Sequence, residues 1–98
     1  MVKAKVRTEA EISSIRKSGE ILTKVLDKLV TSTKVGVTSN QLDRIAREET
    51  ERLGGKPAFL GYQGFPATVC VSVNNEIVHA IPNDRPFREG DLIGIDYG

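Results

Sequence analysis

The chain is poor in several residue types that mark particular protein classes. Its single cysteine, Cys70, allows neither an intrachain disulfide nor a paired-cysteine zinc site. No long hydrophobic run is present, which argues against a secretory signal and against a membrane partner. The chain also has no large excess of either charge, with 14 Lys and Arg against 13 Asp and Glu. This balance argues against sequence-specific nucleic-acid binding. We therefore expect a cytoplasmic protein that binds neither membranes nor specific nucleic-acid sequences.

The first half of the chain has the pattern of two amphipathic helices. Thr8 and Glu11, and again Thr38 and Gln41, have the spacing of a capping box at a helix start. Apolar residues recur behind each pair at helical spacing, and glycines 54 and 55 provide a stop. We predict helices within about residues 8–53, whose exposed charges, among them Asp43 and Glu48, are solvated and have no functional role.

The second half, from about residue 59 to 98, has the composition of an antiparallel sheet. A β-hairpin is predicted by the segment TVCVSV, the turn residues NN and the segment EIVHAI. LIGIDYG predicts a final strand, in which Leu92, Gly94 and Asp96 lie on one face and the intervening residues on the other. The expected fold class is α+β, with two helices packed on an antiparallel sheet.

Two ionisable residues stand out among apolar neighbours. His79, the only histidine, follows Val78, and a buried ring with satisfied nitrogens is the simplest interpretation of it. Asp96 lies in a β-branched run, where a carboxylate either ends the strand or belongs to a site. Together they are compatible with a metal site, an acid/base pair or an ion pair, although they are too few to hold a metal alone.

Three segments in order carry a family resemblance: GYQGFPATVCVSVN, VHAIP and EGDLIGIDYG, within residues 61–98. They resemble the middle of bacterial-type (type I) methionine aminopeptidases, and IRKSGEIL is similar to part of that family's first helix. The resemblance implies the N-terminal half of a pita-bread (creatinase/aminopeptidase) fold. Residues 1–98 are accordingly expected to form a single partial domain, half of a catalytic domain.

The resemblance also implies an activity. The family removes the initiator methionine from nascent proteins by attack of metal-activated water, with two divalent ions (Co, Mn, Fe or Zn) held by five ligands. Asp96 matches the first aspartate ligand, and the others are expected in a C-terminal half. Without that half the fragment is expected to be inactive.

Four further positions match family site residues. His79 matches a histidine that is not a metal ligand and that hydrogen-bonds the substrate. Tyr62, Phe65 and Cys70 match the pocket for the methionine side chain, although ordinary packing is an alternative for Phe65 and Cys70. The implied partners are the N-terminal Met of nascent peptides and, as a further candidate, the ribosome exit region. Val2 is small, so Met1 itself meets the family's requirement for removal.

The chain departs from the family pattern at two positions, Ala80, which is usually glycine, and Gln63, which is histidine in some members. A pita-bread relative that has lost catalysis and serves as an interaction protein is the alternative function. A prolidase or aminopeptidase P is less favoured, because those enzymes carry a large domain before this region and only a short lead precedes the first helix here.

Overall fold

Residues 3–98 are described by a computed structural model, and Met1 and Val2, with the expectation about removal of Met1, lie outside them. The elements are α1 (Glu9–Ser32), α2 (Ser39–Arg52), a short 3₁₀ helix (Tyr62–Gly64), β1 (Cys70–Val73) and β2 (Ile93–Asp96). The predicted α+β class is confirmed. No helix within residues 3–98 is long and apolar enough to cross a membrane.

Both predicted helix starts are confirmed. The Thr8 hydroxyl accepts from the Glu11 backbone N–H at 3.1 Å, and the Glu11 carboxylate accepts from the Thr8 N–H at 2.9 Å. Thr38 and Gln41 make the same reciprocal pair before α2. Each pair satisfies two backbone donors that the helix itself leaves free, so both helices begin where the sequence predicts.

The predicted hairpin of residues 68–81 is wrong. β1 pairs antiparallel with β2, in the register Cys70 to Asp96 and Val73 to Ile93. Asn74 does turn the chain, with φ 57°, but residues 75–82 then run on as a loop rather than as a strand. Only one backbone hydrogen bond, from the Val71 N–H to the Ala80 carbonyl at 3.3 Å, links that loop to the middle of β1. Residues 59–68, also expected in the sheet, form turns and the 3₁₀ helix.

The helices pack on one face of the sheet, as predicted. The core combines apolar residues of both helices with the sheet residues that point toward them; its buried members are Val25, Leu29, Leu42, Ala46, Val69, Val71, Val73 and Phe87. Along β2 the burial alternates, with Ile93 and Ile95 partly buried against this core and Gly94 and Asp96 exposed. The predicted division of residues 92–97 between two faces is therefore confirmed, and Asp96 points away from the helices.

One helix charge has a role that the sequence did not reveal. The Asp43 carboxylate on α2 accepts from the backbone N–H groups of Thr68, at 2.6 Å, and Val69, at 3.1 Å. Both residues are fully buried, so these donors need a protein acceptor. The prediction that Asp43 is merely solvated is wrong, because it fixes the chain where it enters β1.

Candidate active site

A pocket of about 340 Å³ lies on the sheet face that the helices leave open. It is enclosed by the loop of residues 59–65, the start of β1, the end of β2 and the loop that carries His79. All five residues predicted from the sequence line it: Tyr62, Phe65, Cys70, His79 and Asp96. The structure also places Phe59 and Gln63 in its wall.

Asp96 is the last residue of β2 and lies opposite Cys70 in the register. Its side chain is exposed on the pocket side, and its neighbour on that face is Gly94, where an added β-carbon would meet nothing closer than 3.7 Å. The carboxylate therefore has open space beside it. The four ion pairs within residues 3–98 involve other residues, so Asp96 is not neutralised by a cation there.

His79 is held in the site by an unusual backbone conformation rather than by a strand. Its φ of 59° lies in the left-handed region, which residues other than glycine enter at a cost of order 1–3 kcal/mol. The side chain is exposed, so a buried core histidine is excluded. An ion pair between His79 and Asp96 is likewise absent from residues 3–98.

The aromatic wall of the pocket is a compact series of turns. The Tyr62 N–H donates to the Phe59 carbonyl at 3.0 Å, and the Gly61 N–H donates to the Phe65 carbonyl at 2.9 Å. Gln63 has a left-handed φ of 49°, and its amide donates to the Tyr62 hydroxyl at 3.3 Å. Gln63 and His79 are thus two non-glycine residues with left-handed backbone in one pocket, which marks the pocket as a place where the fold tolerates strain.

Cys70 forms the buried floor of the pocket. Burial raises the pKa of its thiol, and the negative charge of Asp96 across the sheet raises it further. The thiol therefore stays protonated near neutral pH and is a poor nucleophile. It contributes a small, polarisable packing surface instead, which suits contact with an apolar or thioether ligand.

Sequence reasoning missed Phe59 and assigned no role to Gln63. Both lie in KPAFLGYQGFPA, whose aromatic and glycine content marks a loop but does not tell which side chains turn inward. No known preference of glutamine predicts the left-handed φ of Gln63.

The donor set offers a metal ion only part of a site. No group of three His, Cys, Asp or Glu side chains within residues 3–98 is placed to hold an ion. The exposed, unpaired carboxylate of Asp96 nevertheless fits one ligand position, because hard carboxylate oxygens suit divalent ions. A complete centre requires further ligands.

The chain is similar to known proteins in both sequence and structure. The sequence profile of Metallopeptidase family M24 matches residues 13–98. The methionine aminopeptidase of Clostridium perfringens is 41% identical over 93 residues, which cover 95% of this chain and 37% of that protein.

Two solved structures are similar to the chain: the methionine aminopeptidases of Rickettsia prowazekii (TM-score 0.92, 34% identity) and Thermotoga maritima (TM-score 0.94, 32% identity). Each match covers 97% of this chain, and 38% and 39% of the two structures. The fold is therefore part of the pita-bread fold, and the chain spans a little over a third of the length of its relatives. The chain belongs to metallopeptidase family M24.

Proposed function

We propose that this chain is part of a methionine aminopeptidase, which removes the N-terminal Met from peptides. One observation carries the proposal: the five residues that match family site positions, although spread from Tyr62 to Asp96, meet in a single pocket on the open sheet face. Apolar and aromatic residues form one side of that pocket, while an imidazole and a carboxylate form the other. Such a division suits a substrate with an apolar side chain next to a peptide bond.

Metallopeptidase family M24 uses divalent metal ions. We further propose two ions, of Co, Mn, Fe or Zn, with Asp96 as one ligand and the remaining ligands supplied by sequence outside residues 3–98. When bound, the ions supply Lewis-acid activation of water and of the scissile carbonyl. Coordination also gives a reason for the aspartate in an otherwise apolar strand, since its negative charge balances part of the charge of the ions.

His79 binds and orients the substrate in this proposal. Its imidazole is exposed to the pocket and has no ion-pair partner within residues 3–98, so a ring nitrogen is free to donate to the peptide carbonyl. A donor aimed at that oxygen stabilises the negative charge that develops during attack. The left-handed backbone sets the direction in which the His79 side chain leaves the loop.

Tyr62, Phe65 and Cys70 hold the methionine side chain. The thioether of methionine makes favourable contacts with aromatic edges, and the protonated thiol of Cys70 leaves the floor uncharged. The N-terminal Met of nascent peptides is therefore the proposed substrate. We place the reaction in the cytoplasm, with the ribosome exit region as a candidate partner.

Titration calorimetry with Mn²⁺ tests the proposal in three proteins: the 98-residue chain, the chain extended to the length of its relatives (the extended protein), and the extended protein with Asp96→Ala. Hydrolysis of Met-Ala-Ser is measured in parallel. We expect tight Mn²⁺ binding and hydrolysis only in the extended protein with Asp96 intact. Residues 3–98 alone offer too few ligands for either.

An extended protein that binds no Mn²⁺ and cleaves no peptide would contradict the proposal and favour a non-catalytic interaction protein. An extended protein whose activity survives Asp96→Ala would remove Asp96 from the ligand set. Circular dichroism of all three proteins is the control for folding. It distinguishes loss of binding or hydrolysis through unfolding from loss through removal of a metal ligand.

A further inference from the structure

We propose that Tyr97 is a positioning residue for Asp96, and that a hydrogen bond from its hydroxyl to Thr50 on α2 fixes the place of the carboxylate. This inference rests on the proposed function, in which Asp96 is a metal ligand. It goes further, because it assigns a role to a residue outside the wall of the active-site pocket. The hydroxyl groups of Tyr97 and Thr50 are hydrogen-bonded to each other, which joins the residue directly after Asp96 to the helix layer.

Asp96 lies at a strand end, where the backbone needs support from outside the sheet. The pairing of β1 with β2 stops at Cys70 and Asp96, and residues 97 and 98 lie beyond β2. Strand ends open at little free-energy cost unless the neighbouring residues are held. A functional side chain, however, must stay within about 0.5 Å of its productive position. A contact that holds position 97 therefore bears directly on the placement of the carboxylate.

The hydrogen bond between the two hydroxyl groups has a defined direction and a rigid acceptor. Thr50 is 2% exposed, and its hydroxyl donates to the Ala46 carbonyl at 2.6 Å. Because a hydroxyl has a single proton, Thr50 is the acceptor and Tyr97 the donor in the bond between them. The bond to Ala46 holds the Thr50 rotamer, and a β-carbon added to Gly55 would lie only 3.3 Å from its Cγ2. The acceptor therefore cannot follow a displacement of β2.

Tyr97 and Asp96 leave the backbone in opposite directions. The Tyr97 ring packs against the hydrophobic core, whereas Asp96 lines the pocket on the other face. The next residue is also held: the Gly98 carbonyl accepts from the Ala58 N–H at 3.2 Å, and a β-carbon added to Gly98 would lie 3.0 Å from Cε1 of Phe59. Because side chains alternate along an extended chain, a Tyr97 side chain that is fixed to α2 sets the direction in which Asp96 points.

The test measures Mn²⁺ binding by titration calorimetry in the extended protein and its Tyr97→Phe variant, which keeps the ring and loses only the hydroxyl. We expect the Kd for Mn²⁺ to rise about tenfold, because residues that orient a metal ligand typically change metal affinity by that factor or more. At saturating Mn²⁺, kcat for Met-Ala-Ser should fall severalfold while KM stays within about twofold, since the substrate pocket is unaltered. Urea unfolding of both proteins in the presence of chelator measures the structural effect separately.

Thr50→Val removes the acceptor, and the double variant completes a mutant cycle. Both substitutions break the same bond, so the double variant should have about the Kd of the weaker-binding single variant rather than the product of two increases. Thr50→Ser restores a hydroxyl and should return the Kd to within about twofold of the parent.

Thr23→Val is the matched control. The Thr23 hydroxyl donates to the Gly19 carbonyl on α1 at 2.9 Å, the same intrahelical bond that Thr50 makes on α2, but Thr23 is exposed. Its loss should leave the Kd for Mn²⁺ within about twofold of the parent.

The outcomes separate this role from the proposed function. A Kd and a kcat that stay at the parent values in Tyr97→Phe and Thr50→Val, with a parent that binds Mn²⁺ tightly, would overturn the positioning role and leave the proposed function intact. A lower free energy of unfolding with an unchanged Kd would overturn the role as well, because the bond would then be only structural. Additive increases in the cycle would overturn the hydroxyl pair as their cause. A parent that binds no Mn²⁺ and cleaves no peptide would overturn the proposed function and this role with it.

Discussion

The two faces of the β1–β2 sheet are built from alternate residues of the same eight positions, yet their side chains differ in size, in polarity and, along β2, in exposure. On the helix face, Val71 and Val73 are 2% and 5% exposed and pack with Ile93 and Ile95 against both helices. On the other face, the pairs are Cys70 with Asp96 and Ser72 with Gly94. That face has small or polar side chains and one wall of aromatic residues.

The pleat of the strands makes this division possible. Successive side chains point to opposite faces, so a residue that stabilises the core lies next to one that is free for chemistry. Residues that stabilise the core and residues proposed to act in the site therefore alternate along each strand. Substitutions on one face should change the free energy of unfolding, and those on the other should change activity.

The largest effect is expected from Asp96→Asn in the extended protein. Loss of this proposed metal ligand should lower kcat/KM for Met-Ala-Ser about 10³-fold, because metal ions supply several kcal/mol of transition-state stabilisation. Asp96 is exposed and outside the core, so the free energy of unfolding, measured by urea titration with chelator present, should change by less than about 0.5 kcal/mol. A large loss of stability with activity retained would reverse the assignment of the two faces.

The next effect comes from the opposite face. Val71→Ala should lower the free energy of unfolding by about 2–3 kcal/mol, since it removes two buried methyl groups and leaves a cavity. Activity per folded molecule should be nearly unchanged. Cys70→Ala is the matched control, one residue away on the pocket face, and its loss should be at most about half as large. Equal losses at both positions would mean that the pocket floor is also part of the core.

Asp43→Ala tests the connection between the helix layer and the start of β1. The substitution leaves the buried N–H groups of Thr68 and Val69 without their acceptor, which should cost about 1–3 kcal/mol of unfolding free energy. Glu48→Ala is the control, because Glu48 is an exposed charge on the same helix and should cost less than about 0.5 kcal/mol. If the two variants unfold at the same urea concentration, Asp43 is only a solvated charge after all.

The smallest effect is a pH dependence at the entry to β2. The backbone N–H of Arg88, followed by the amide of Asn74, holds the pKa of Asp91 below its usual range. As pH falls, the Asp91 carboxylate is therefore protonated at a higher pH in the unfolded chain than in the folded chain. The stabilisation is present above about pH 4 and is lost as pH falls through the lower folded-state pKa.

Asp91→Asn should accordingly reduce the loss of stability between pH 6 and pH 3, measured by urea unfolding at several pH values. Glu89→Gln removes an exposed carboxylate from the same loop and is the charge-matched control. A pH dependence that is identical in the parent and Asp91→Asn proteins would show that these hydrogen bonds do not bias the titration.

Local signals predicted the parts of this fold that depend on local interactions. The capping pairs of Thr8 and Thr38 act within three residues, and the alternation of residues 92–97 follows from the pleat alone. The partner of β1 is a different matter, because alternation shows that a segment is a strand without showing which strand it joins. The turn at Asn74 is confirmed, but no feature of the sequence indicates that the chain then leaves the sheet and that β2 lies beside β1.

The site shows the same limit. The five residues came from family motifs, which identify positions without giving their geometry, so His79 was expected on a strand and lies in a loop with left-handed backbone. Asp43 and Phe59 were missed because their partners, Val69 and Gly98, lie 26 and 39 positions along the chain. Contacts of that range depend on the completed fold and not on spacing in the sequence.

The backbone of His79 has a consequence for how this position can evolve. Among residues other than glycine, the left-handed region best accepts Asn, Asp and His, and it disfavours bulky and β-branched side chains. Asn and Asp codons are each one nucleotide away from those of His, so a lineage can exchange the imidazole for an amide or a carboxylate without disturbing the loop. Relatives that gave up catalysis for binding should then carry Asn or Asp at this position on an otherwise unaltered fold.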